Sequence, residues 1–128
     1  STVFSQNSGF ELQHLKINQD LAKIEEIRNF YKNTMGLKLV SPEGRVKRDY
    51  IEFDNGQRIN LIYTDNIQQL PTSEDFMKGL WIRLETSNFQ HIQGKIKSSG
   101  VKVIREVPSK ELYFQAPGGQ VFRVVKKE

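Results

Sequence analysis

Apolar residues recur along this chain with two alternating periods. Phe10 to Ile17 reads as a strand, with Leu15 and Ile17 on one side and Leu12 and His14 on the other. The spacing then becomes helical: Leu21, Ile24, Ile27, Phe30 or Tyr31, and Met35 form one stripe. Asn18 or Asp20 can cap its start, and Gly36 suits its end. Leu37 to Val40 returns to strand, and Ser41 to Asp49 is charged and loop-like. Tyr50 to Asp54 and Arg58 to Thr64 form a hairpin over Asn55-Gly56, a strong turn signal. A connector broken by Pro71 follows, and then the order repeats. Leu80 to Glu85 alternates as a strand. Ser87 or Asn88 caps a helix whose inward residues are Phe89, Ile92 and Ile96, and Gly100 ends it. Val101 to Arg105, Leu112 to Gln115 and Val121 to Lys126 complete the second set.

The repetition extends to local sequence. Gly36-Leu37-Lys38-Leu39-Val40 recurs as Gly100-Val101-Lys102-Val103-Ile104. The hairpin from Phe53 has a counterpart from Phe114, with two extra turn residues. The period is too long for a solenoid and suits a duplicated half-domain. The expected fold is α+β: two βαβββ modules forming a curved mixed sheet around a central cleft. The modules span about residues 10–64 and 80–126, joined by connector 65–79, within one domain of residues 1–128. Each helix is expected to cover its own sheet, leaving the opposite faces to line a shared concave surface.

Composition narrows the function classes. With 128 residues the chain can bury a real core. It has no cysteine, which removes disulfides, thiolate metal sites and thiol nucleophiles together. That suits a reducing cytoplasmic location. No apolar run approaches the roughly 18 to 20 residues of a membrane helix, and residues 1–9 lack the apolar core of a signal peptide. The net charge of +4 comes from 19 basic and 15 acidic residues, with no block of like charges. No nucleic-acid-binding motif is present. Neither a membrane nor a nucleic acid is expected as partner.

Phe30-Tyr31-Lys32-Asn33-Thr34-Met35-Gly36-Leu37-Lys38-Leu39-Val40 resembles the helix-to-strand signature of the glyoxalase/bleomycin-resistance/extradiol-dioxygenase superfamily, also called vicinal oxygen chelate proteins. Tyr113-Phe114-Gln115-Ala116-Pro117-Gly118-Gly119-Gln120 is similar to the family's closing hairpin, with Ala116 and Gly118 where that pattern carries Asp. His14 falls where the family's first strand places its histidine. The resemblance runs from about residue 10 to 126. It implies the fold but no single activity, because this superfold hosts lyases, isomerases, transferases, dioxygenases and binding proteins. It also implies a homodimer with pockets at or near the subunit interface.

Enzymes of the family hold a divalent metal with His, Gln or Glu from four strands. By motif, those positions fall here at His14, Asn60, Trp81 and Arg123. Only His14 is a usual ligand, and a guanidinium repels a cation. A shift of one residue brings in Glu52 or Glu85 instead. The expectation is therefore no metal and no other cofactor. No Walker loop, Gly-x-Gly-x-x-Gly, His-Glu-x-x-His or Gly-x-Ser-x-Gly occurs, and no catalytic residue is assigned.

Strand alternation places His14, Asn60, Trp81, Arg83, Tyr113 and Arg123 on one cavity face. Such a set offers aromatic surface, convergent donors and positive charge, as small-molecule pockets do. Arg83 and Arg123 can clamp a carboxylate or phosphate, and Trp81 can stack on a planar group. The bland alternative is that the arginines pair with Glu85 or Glu52 and fill the cleft. The expected role is binding or sequestering a small organic molecule, anionic or aromatic, rather than catalysis. A metal-dependent glyoxalase-like lyase, isomerase or transferase is one rival. A protein-interaction module with a vestigial cleft is the other.

Overall fold

In the first module, β1 (His14–Asp20), β2 (Lys38–Val40), β3 (Arg48–Glu52) and β4 (Arg58–Thr64) form a sheet of order β1-β4-β3-β2. Only the β1–β4 pair is parallel. The second module repeats the plan with β5 (Ile82–Thr86), β6 (Lys102–Val107), β7 (Glu111–Gln115) and β8 (Val121–Lys126), in order β5-β8-β7-β6. The chain, seen here as a computed structural model, is described for residues 8–65 and 72–128. Two βαβββ modules are present, each with a helix in its crossover between parallel strands. By register, the Tyr50–Asn60 pair of the first hairpin corresponds to the Tyr113–Arg123 pair of the second.

The first crossover is not a plain α-helix. Asp20 caps its start, its side chain accepting from the Ala22 N–H at 3.0 Å. A 3-10 turn (Leu21–Lys23) leads into α1 (Ile24–Asn29), which ends in a π turn (Phe30–Thr34) closed by Met35 N–H to Phe30 C=O. The wider turn holds one residue more than an α turn. Phe30 and Tyr31 are both buried there. Gly36 then takes a φ of +70°, which suits glycine.

Two further elements depart from the expected outline. β1 begins at His14 rather than Phe10, and Phe10 is 90% exposed. The connector carries α2 (Ser73–Lys78), held by a capping box in which Thr72 and Asp75 exchange hydrogen bonds. Pro71 lies outside the described residues. α3 (Phe89–Ser98) has Asn88 at its cap position, although the Asn88 side chain makes no capping bond.

A single apolar core spans both modules. Arg28 of α1 binds Asp49 of β3, while Phe30 and Tyr31 pack on Phe114 of β7 and Phe122 of β8. One helical segment therefore touches the inner faces of both sheets. Those faces look at each other across it, and the outer faces look away from each other. The expectation that each helix covers only its own sheet is corrected accordingly. At one end, Gln19 of β1 meets the β7–β8 turn, where Gly118 has a φ of +91°. A Cβ on Gly118 would lie 2.0 Å from Gln19 Oε1. The positive φ and this contact together favour glycine at Gly118.

Tyr31 is fully buried and its hydroxyl has no hydrogen-bond partner among the described residues. Burial raises its pKa. An orphaned buried hydroxyl forfeits its water bonds without replacing them. Tyr31→Phe is expected to raise stability by about 1 kcal/mol, or roughly 4 °C in Tm. Thermal melting checks it, and a lower Tm would mean that the hydroxyl has a partner.

Candidate functional site

Alternation in the second sheet sends Ile82, Leu84, Phe122, Val124, Leu112 and Phe114 inward and their neighbours outward. The outer face consequently reads as rows across the strands. One row holds Lys102, Gln115, Val121 and, one residue before β5, Trp81. The next contains Tyr113, Arg123 and Arg83 side by side. A third contains Glu111, Val125 and Glu85.

These side chains touch. The Trp81 and Tyr113 rings meet edge to face, with centroids 5.8 Å apart. The Arg123 guanidinium lies 5.5 Å from the Tyr113 ring centroid. It donates from Nε at 2.9 Å and Nη2 at 2.5 Å to the same Glu111 oxygen. That bond, before any other influence, raises the Arg123 pKa. Arg83 is exposed and has no ion-pair partner among the described residues. α2 packs against β8 and borders this face, tied down by Lys102, whose Nζ donates to Ser73 Oγ at 2.6 Å.

His14 and Asn60 lie elsewhere. They belong to the outer face of the first sheet, where His14 pairs with Arg58 and Asn60 sits between Lys16 and Tyr50. Arg58 stacks over Tyr50 at 4.4 Å and pairs with Glu52, which also binds Lys38. The six expected residues thus divide between two faces that look apart. Period-2 alternation gives the side of a strand on which a residue lies, but not the direction in which that sheet is turned.

Arg83 and His14 do share one feature. A cleft of about 680 Å³ opens between the modules along the edges of β1 and β5, and both residues line it. Its floor includes Leu15, Ile59, Ile82 and Leu84. Lys38, Arg58, Arg83 and Lys127 line it, against Glu52, Asp54 and Glu85. The charges nearly balance, so the cleft itself selects no sign of ligand.

Of the bland pairings, Glu52 does engage an arginine, but Arg58 rather than Arg83 or Arg123. The partner of Arg123 is Glu111, which sequence reasoning missed. The signal was available, because Glu111 lies two residues before Tyr113 and so shares its face. Among the described residues, no group of three or more His, Asp or Glu side chains is placed to hold a metal ion.

No family model matches the sequence, and no curated protein matches it. Solved structures do match the fold. A glyoxalase/dioxygenase from Nostoc punctiforme superposes with a TM-score of 0.74 at 16% identity, covering 100% of this chain and 98% of that one. The fosfomycin resistance protein FosX from Listeria monocytogenes gives a TM-score of 0.68 at 16% identity, covering 90% and 89%. An integron cassette protein from the mobile metagenome of Vibrio cholerae gives 0.64 at 23% identity, covering 99% and 100%. The chain shares the fold of these glyoxalase/dioxygenase and fosfomycin resistance structures.

Proposed function

We propose that this chain is a small-molecule-binding protein that takes an anionic or aromatic ligand on the outer face of its second sheet, without a divalent cation. The observation that carries the reading is the contact set Trp81–Tyr113–Arg123 with Arg83 alongside. It combines the partly exposed Trp81 ring, backed by the buried Tyr113, with one cation held in place and one unpaired. Glu111 neutralises part of the Arg123 charge, and Arg83 supplies a second, unpaired cation for an anion.

The donor chemistry does not suit the metal that the resemblance implies. Trp81 offers no ligand atom, and Arg123 is a permanent cation beside a second arginine. His14 faces Arg58 across the β1–β4 pair. A dication there would sit among like charges.

The protein is proposed to act as a homodimer. The two outer faces look apart within one chain, so the first-sheet face of one copy can close over the second-sheet face of another. Symmetric pairing is the commonest assembly. Light scattering is expected to report a dimer at micromolar concentration, and a monomer would remove this part of the reading. The absence of cysteine agrees with a cytoplasmic location.

The test is a thermal-shift screen of carboxylates, phosphates and planar aromatics, with and without chelator. A ligand at a hundred times its Kd adds about 2.7 kcal/mol, which raises Tm by roughly 2 to 8 °C. The expected hits ignore chelator and weaken in Trp81→Ala. Hits abolished by chelator and restored by metal would favour the metal-dependent enzyme. No hit at all would favour the interaction module.

A further inference from the structure

We propose that the ligand of this face carries two anionic groups, and that Arg105 is the second anchor; the proposal rests on the outer face of the second sheet being the binding site. The observation is a break in the β6–β7 register. Lys102 pairs with Gln115 and Val103 with Phe114, but Tyr113 pairs with Arg105, not Ile104. Ile104 is the extra residue of a β-bulge.

The consequence for Arg105 is a change of side. In unbroken pairing it would oppose Leu112 and point to the inner side with Leu112 and Phe114. The bulge moves it onto the face of Tyr113, and Glu106 then faces inward, where Gln93 and Lys97 of α3 bind it. Bulges often re-aim a side chain beside a functional site. The row across the sheet thereby becomes Arg105, Tyr113, Arg123, Arg83.

Charge and distance define the ligand. Neither Arg105 nor Arg83 has an ion-pair partner among the described residues. Neighbouring strands lie about 4.8 Å apart, so the Arg105 backbone is roughly 10 Å from that of Arg123 and about 14 Å from that of Arg83. Tyr113 occupies the interval but is buried, and the ring presented beside it is the partly exposed Trp81 at its edge. A ligand matching this row is a flat, elongated molecule with an aromatic middle and an anionic group at each end. A compact monoanion meets Arg83 and Arg123 and leaves Arg105 unused.

Isothermal titration with two probes tests this: a biphenyl with a carboxylate at each para end, and the same biphenyl with only one. The wild type is expected to bind the dianion roughly three- to tenfold more tightly at low salt, the range for an exposed but bidentate arginine contact. That advantage shrinks at high salt. Arg105→Ala should erase the advantage and leave the monoanion's affinity unchanged, while Arg105→Lys should keep part of it. Equal affinity for both probes, or an Arg105→Ala variant that weakens both alike, overturns the proposal while leaving the site in place. No binding of either probe, or binding that ignores Trp81→Ala, overturns the site and the proposal together.

Discussion

Asp49→Ala is expected to destabilise the protein by about 3 to 5 kcal/mol, the range for breaking a buried ion pair, and to lower Tm by roughly 10 to 20 °C. Asp49 is fully buried on β3. It accepts from Arg28 Nε and Nη2 at 2.8 and 2.9 Å, from Ser41 Oγ at 2.6 Å and from the Tyr63 hydroxyl at 2.6 Å. These donors come from α1, the loop after β2, and β4, so one carboxylate joins three parts of the first module. Its removal strands a guanidinium whose other partner, Glu25, is exposed and 3.7 Å away. Burial alone would raise the Asp49 pKa. The hydrogen bonds from Arg28, Ser41 and Tyr63 outweigh it and hold the group below its ordinary value. A depressed carboxylate contributes stability above the unfolded pKa of about 3.9, and the contribution is lost as pH falls through the lower folded pKa. Urea unfolding measured from neutral to acidic pH checks both effects. The variant should lose stability at neutral pH and lack this acid-dependent component. A variant within about 1 kcal/mol of wild type would show that the network does not hold the module together.

Arg123→Ala is expected to weaken an anionic ligand by at least roughly a hundredfold, beyond the ten- to hundredfold of one lost charge-assisted contact. The substitution removes a cation and also uncovers Glu111, which faces the same surface. Glu111→Gln in that background should recover roughly tenfold, because it removes the repulsion but does not restore the donor. A titration series on wild type, both single variants and the double variant measures the coupling. If Glu111→Gln gives no recovery, the ligand does not approach this pair.

Strand order and period were legible to the residue in places. Arg58–Thr64 and Val121–Lys126 are bounded as alternation and flanking turns imply. The N-terminal edge of β1 was misjudged because Phe10 and Leu12 fit the strand period, although both stay exposed. Three features had no local signature. The π turn at Phe30 depends on two aromatics being buried against the second sheet. The bulge at Ile104 sits in a run that alternates acceptably in either register. The pairing of α1 with both sheets depends on contacts between residues more than eighty positions apart. Sequence periodicity carries the sidedness of an element. What that side rests against is decided by long-range packing, and here it separated His14 and Asn60 from Trp81, Arg83, Tyr113 and Arg123.

The back-to-back placement of the two outer faces has a genetic consequence. If two copies close each face over its counterpart, every complete site draws on two polypeptides, and a dimer holds two such sites. If Asn60 contributes to that composite site, a chain damaged at Asn60 and another damaged at Arg123 would each be silent alone. Mixed and allowed to exchange, they would form hybrids in which one site combines two intact faces and the other combines two damaged ones. Restoration approaching half occupancy within those hybrids is the behaviour of intersubunit complementation. It can arise only because the helix carrying Phe30 and Tyr31 keeps the two faces of a single chain apart.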